Sequence, residues 1–219
     1  MSESSKPLTE KESLELITQM INRAKDNFVD TGIGPILWGA VITFCSLVQA
    51  AQIHFDFDLP FDIWWLAMLA IIPQVFISIK EKRERKAKGW EDSMMGYIWL
   101  CFGIGIFVVN FINRSLFEVF EPVIQHYRNI TGQPFTSTWT FATCYLLFVF
   151  GFPTIITGAS RKFHLMTFGG IFCWVSAVVA CFTSTKIDFV LMAVSATLAW
   201  LIPGLFIERK YRARKKANV

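Results

Sequence analysis

The long apolar stretches of this chain contain almost no charge, and no Asp, Glu, Lys, Arg or His falls near the centre of any of them. Intramembrane aspartyl or serine proteases need acids, or Ser with His, at membrane depth, so that chemistry is excluded. A His-Glu-x-x-His run is also missing, which removes the common zinc-protease arrangement. Histidine is limited to His54, His126 and His164, two at stretch edges and one in a loop. Metal ligands must cluster, and these do not. The five cysteines, Cys45, Cys101, Cys144, Cys173 and Cys181, form no Cys-x-x-Cys pair and all lie inside apolar stretches. Thiolates are costly there, so these residues read as small packing side chains, and no metal or other cofactor is expected. Residues 1–9 are polar and lack the basic-then-apolar order of a signal peptide, so the N-terminus is expected to be retained.

What is abundant is apolar surface. A composition 53% hydrophobic and 16% aromatic in 219 residues exceeds what one soluble core can hide, so lipid must cover part of it. Six stretches, 35–53, 61–79, 94–112, 137–159, 163–183 and 187–207, each approach the ~20 residues that a helix needs to span hydrocarbon. Basic residues alternate between the connecting segments, so that 18 of the 21 Lys and Arg fall on one side. Cytoplasmic loops collect Lys and Arg, which predicts an all-α polytopic membrane protein with both termini cytosolic. Trp64, Trp65 and Trp139 fall at the outer interface of that arrangement and Trp38 and Trp90 at the inner one, where aromatic belts belong. The chain then divides into a cytosolic segment 1–34, a six-helix domain 35–207 and a basic tail 208–219. The net charge of +4 lies close to span ends, where orientation accounts for it, and no nucleic-acid partner is expected.

Segment 10–28 reads as an amphipathic helix. Thr9 and Glu12 make a capping box. Leu14, Ile17, Ile21, Ala24 and Phe28 follow a heptad seam. Acids outnumber bases along this helix, so a protein surface suits it better than anionic lipid: its own bundle, a second copy or a separate cytosolic protein. Residues 30–35, Asp-Thr-Gly-Ile-Gly-Pro, form a hinge, with Pro35 at a helix start where its missing N–H costs nothing. The loop 113–136 reads as a second amphipathic helix lying on the outer face.

Ile72-Pro73-Gln74-Val75-Phe76-Ile77 matches Ile202-Pro203-Gly204-Leu205-Phe206-Ile207, each before a basic cluster, and Pro153 marks a weaker third copy. Pro73, Pro153 and Pro203 are expected to bend their helices near the cytosolic ends. Gly169, Cys173, Ala177 and Cys181 form a ridge of small residues in the fifth stretch, with Ser195 and Ala199 as a shorter counterpart in the sixth. Such ridges permit close backbone approach, so these two helices are expected to be the closest pair. Gln49, Gln74 and Asn110 are the first choice for a polar patch lining a cavity, and Asp62 and Asp188, at outer ends, are expected to cap helices.

The order of features in 8–17, 30–38 and 59–82, the last containing Leu59-Pro60-Phe61-Asp62 and Ile72-Pro73-Gln74, resembles a family of small bacterial integral membrane proteins of uncharacterised activity. The resemblance covers most of the chain and implies a bacterial inner-membrane address. It carries over no functional residue. Three functions follow from the residues. The leading one is a non-enzymatic regulator, sensor or scaffold presenting the N-terminal helix to a cytosolic partner. The second is a small transporter or channel using the polar patch. The third, an enzyme, has only the outer acids Asp56, Asp58, Asp62, Glu118 and Glu121 with His126 to work with.

Overall fold

The computed structural model describes residues 9–10, 13–15, 18, 31–84, 90–132 and 139–217. Among the described residues there are helices and no strands. They are α1 (Ile33–Phe55), α2 (Trp65–Glu84), α3 (Trp90–Thr131), α4 (Trp139–Ser160), α5 (His164–Ala180), α6 (Thr185–Ala196) and α7 (Ile202–Ala217), with a π-turn, Thr197–Leu201, joining the last two into one rod. Four segments are long and apolar enough to cross a membrane: Ile33–Phe55, Met94–Thr131, Phe141–Ser160 and Thr185–Ala213. His164–Ala180 is apolar but shorter. The helix α2 ends in Lys80-Glu81-Lys82-Arg83-Glu84, which limits its apolar length.

Two boundaries differ from the sequence expectation. The helix α2 starts at Trp65 rather than Phe61, because the Asp62 carboxylate accepts a bond from the Trp64 N–H at 2.9 Å and the chain there runs as a tight turn. Asp62 therefore closes the turn that leads into the helix. The larger difference is α3, a single helix of 42 residues that absorbs both the third stretch and the expected separate outer helix. No Gly or Pro falls between Asn113 and Glu121, Pro122 is accommodated without a break, and Arg114–Glu118 and Gln125–Glu121 pair one turn apart at 3.1 and 2.9 Å. It ends at Gly132, whose positive φ lets its N–H bond back to the Arg128 carbonyl. Forty-two residues rise ~63 Å, about twice the thickness of hydrocarbon. Asp92 and Ser93 lie inside its first turn, since it begins at Trp90.

The most extensive contacts are between α1 and the α6–α7 rod and between α4 and α5, both exceeding those of α5 with the rod. The expectation that the fifth and sixth stretches pack closest is therefore corrected. The close approach of α5 to the rod is local, at Gly169, where a Cβ would sit 2.5 Å from Ala199 Cα. Side-chain volume decides the ranking. Gly32, Ile36, Gly39, Thr43, Ser46 and Ala50 lie on α1, or just before it, at alternating spacings of four and three, a seam of mostly small residues that faces the rod. A Cβ on Gly39 would lie 2.5 Å from the Leu201 backbone nitrogen. One turn further out, Thr43 Oγ1 lies 3.0 Å from Thr197 Oγ1.

The π-turn has a local cause. Pro203 has no N–H and its ring would press on the carbonyl four residues back, a defect worth ~3 kcal/mol in an ideal α-helix. Just before it the ladder widens by one residue, with the Ile202 N–H bonding to the Thr197 carbonyl. Around Pro73 and Pro153 the chain stays α-helical. The widened turn also presents Trp200 to the bundle centre. Its Nε1 donates to Thr154 Oγ1 at 2.9 Å, and its ring meets Trp99, Phe102 and Phe150.

The two kinds of glycine give opposite expectations. In both cases Ala removes ~0.5–1 kcal/mol of backbone entropy cost. At Gly39 the added methyl must displace the Leu201 backbone, and overpacking costs ~1–3 kcal/mol. Gly39→Ala should therefore lower stability in a detergent-unfolding titration, while Gly103→Ala, with nothing within 4 Å of its Cβ, should leave it unchanged or slightly raised.

Candidate functional site at the entry to the first helix

The two copies of the proline motif meet at one place. Gln74 and Gly204, the residues following Pro73 and Pro203, both touch the segment that leads into α1. Gly32 adopts φ 71°, the left-handed conformation that turns the chain into the helix without a cap side chain. A Cβ on Gly32 would sit 2.5 Å from the Gly204 carbonyl oxygen, and one on Gly204 would sit 2.8 Å from Ile36 N. The two glycines are thus mutually required. On the other flank Trp38 Nε1 donates to Gln74 Oε1 at 3.1 Å, and Gln74 Nε2 donates to Ser78 Oγ at 3.2 Å. Gly34 leaves room for that amide, since its Cβ would stand 3.4 Å from Gln74 Oε1.

Thr31 completes the joint. It is 4% exposed, and its hydroxyl donates to Glu81 Oε1 at 2.5 Å, which fastens the chain before α1 to the charged end of α2. On α7, Glu208 pairs with Arg212 one turn on. The entry to α1 is therefore clamped between α2 and α7 by backbone contact on one side and side-chain bonds on the other. The sequence marked this segment as a Gly-Pro hinge. Its glycines serve close packing as well as the turn at Gly32.

The other residues singled out from the sequence are placed as follows. Gln49, Gln74 and Asn110 do not bond to one another: Gln74 is engaged in the joint, and Asn110 Nδ2 donates to the Ile106 carbonyl of its own helix. Cys173, Gly169 and Ala177 are buried on α5, and Cys181, just beyond its end, is exposed against α4. Leu14 is 66% exposed, while Ile17, Ile21, Ala24 and Phe28 lie outside the described residues. At the turn after α4, partial burial lowers the Arg161 guanidinium to about 10, still protonated at neutral pH. An apolar groove between α3 and α4, lined by Tyr97, Cys101, Phe152 and Pro153 among others, opens away from the bundle.

Asp188 departs from expectation. It does not cap a helix at the surface but is 0% exposed in the first turn of α6, where Oδ1 accepts from the Thr183 hydroxyl and Oδ2 has no hydrogen-bond partner. An acid at a helix start is ordinarily a surface feature, and tertiary packing buries this one completely. Among the described residues no group of three or more His, Cys, Asp or Glu could hold a metal ion.

The fold and its apolar helices define an all-α protein of membrane type. No protein-family model, curated protein or solved structure matches the chain.

The joint makes a specific demand on residue 32. Gly32→Ala combines a left-handed backbone with a clash against the Gly204 carbonyl, and should destabilise the protein by ~1–3 kcal/mol in a detergent-unfolding titration. Gln74→Leu keeps the volume but strands the Trp38 N–H, at a cost of ~1–3 kcal/mol in the same measurement.

Proposed function

We propose that this chain is a bacterial inner-membrane protein that crosses the bilayer six times with both termini in the cytosol, and that it acts without catalysis. In this reading it is a regulatory or scaffold protein that presents its N-terminal amphipathic helix to a cytosolic protein. Two shorter crossings, by α2 and α5, complete the four longer ones, and the distribution of Lys and Arg orients them.

The observation that carries the function is the clamp on the entry to α1. A helix attached through a slack linker reports nothing about the bundle behind it. Here the attachment point is bonded to α2 through Thr31–Glu81 and lies in backbone contact with α7 at Gly204. Any displacement of α2 or α7 relative to α1 moves the attachment point, which is the coupling that a sensor or regulator needs. The alternative of a transporter or channel draws no support from the placement of Gln74 and Asn110, whose amides are bonded to Trp38, Ser78 and the Ile106 carbonyl.

A photo-crosslinking residue at Leu14, introduced into the full-length protein in cells, tests this. The expected product is one discrete cytosolic protein, whose yield falls when Gly32→Ala disturbs the joint and insertion is unchanged. Crosslinks only to lipid or to the protein's own bundle would remove the reading.

A further inference from the structure

We propose that Cys144 and Cys181 are the two halves of a reversible disulfide that ties the start of α4 to the end of α5. The observation is direct: Cys181 Sγ lies 3.6 Å from Cys144 Sγ, the two thiols coming from different helices. A disulfide needs a sulfur separation of ~2.05 Å. Because α4 and α5 are packed along their lengths, the remaining gap is a matter of side-chain rotation rather than helix movement. The other cysteines are placed otherwise. Cys45 donates to the Ile63 carbonyl, Cys173 is buried on α5, and Cys101 is exposed on α3.

The pair is asymmetric in a way that orders the chemistry. Cys181 is exposed just past the end of α5, whereas Cys144 is 6% exposed. Cys181 is therefore the thiol that meets an oxidant, here a small-molecule or protein disulfide. Its thiolate attacks one oxidant sulfur, forming a mixed disulfide and expelling one oxidant thiolate. The Cys144 thiol then loses its proton to the departing group and displaces the second oxidant thiolate, leaving the Cys144–Cys181 bond. The two thiol protons and two electrons pass to the oxidant, whose disulfide becomes two thiols. A thiol reductant reverses the sequence. The bond joins positions 37 apart in sequence and fixes the start of α4 to the end of α5, two residues before Thr183, which bonds Asp188.

Oxidation in the cell rests on the topology proposed above, which places this end on the outer, oxidising side. The test has two arms. Purified full-length protein is equilibrated with oxidised or reduced glutathione, acid-quenched, alkylated with maleimide and mapped by mass spectrometry. The expected result is loss of two alkylatable thiols per chain, one peptide bridging positions 144 and 181, and a higher Tm in the oxidised form. Cys181→Ser should abolish the bridge, while changing Cys45, Cys101 and Cys173 together to Ser should leave it. If oxidised wild-type protein shows no such bridge, or only dimers joined through Cys181, the disulfide is refuted regardless of topology. In the second arm, intact cells are acid-quenched before alkylation, and the bridged peptide is expected. A pair that oxidises when purified but is recovered as two thiols from cells overturns its placement on an oxidising side, and the topology with it.

Discussion

The contact on which much of the molecule depends is the approach of the α1 backbone to the backbone of the α6–α7 rod. It is possible only because Gly32 and Gly39 present no side chain there, and because Gly204 answers Gly32 from the other side. Hydrophobic attraction does not discriminate between helices immersed in lipid, whose tails are as apolar as the side chains, so association rests on close packing and on polar bonds between helices. The α1 seam supplies both, with glycines at its N-terminal end and the Thr43–Thr197 contact one turn further along. From that contact follow the fixed entry to α1, the position of α2 through Gln74 and Thr31–Glu81, and the rigid attachment point of the N-terminal segment.

The rod itself is shaped by a compromise at Pro203. A proline in a straight helix leaves a carbonyl unpaired, and no water is at hand in hydrocarbon to satisfy it. In the widened turn before it the Thr197 carbonyl accepts from the Ile202 N–H, and Trp200 lies inward, where its indole N–H finds Thr154. The aromatic group formed with Trp99, Phe102 and Phe150 ties α3 and α4 to the same rod. Thus the segment around Pro203 takes part in two contacts, the joint through Gly204 and the aromatic centre through the turn.

Much of this was legible in the sequence, for identifiable reasons. Helical class and the approximate position of each apolar stretch follow from composition and length, and the repeat around Pro73 and Pro203 marked the two segments that meet at the joint. The α1 seam is written in the sequence as Gly32, Gly39 and Ser46 seven residues apart, but the ridge at Gly169, Cys173 and Ala177 is denser in small residues. What decides between two ridges is which backbones lie adjacent, and that is a tertiary property. The continuity of α3 was missed because charged residues after Ile112 suggested a break, whereas one-turn pairs such as Arg114–Glu118 keep the helix going. Asp188 could not be recognised as buried, because its neighbours in sequence are those of an ordinary helix start.

The account stands or falls on which side of the membrane the joint faces. The direct measurement is labelling by a membrane-impermeant maleimide of single cysteines at positions 58, 82, 126 and 212, in a chain otherwise free of cysteine, in intact and permeabilised cells. Positions 58 and 126 should label in intact cells, and positions 82 and 212 only after permeabilisation. Labelling of position 82 or 212 from outside, or protection of position 58 in intact cells, would contradict the account.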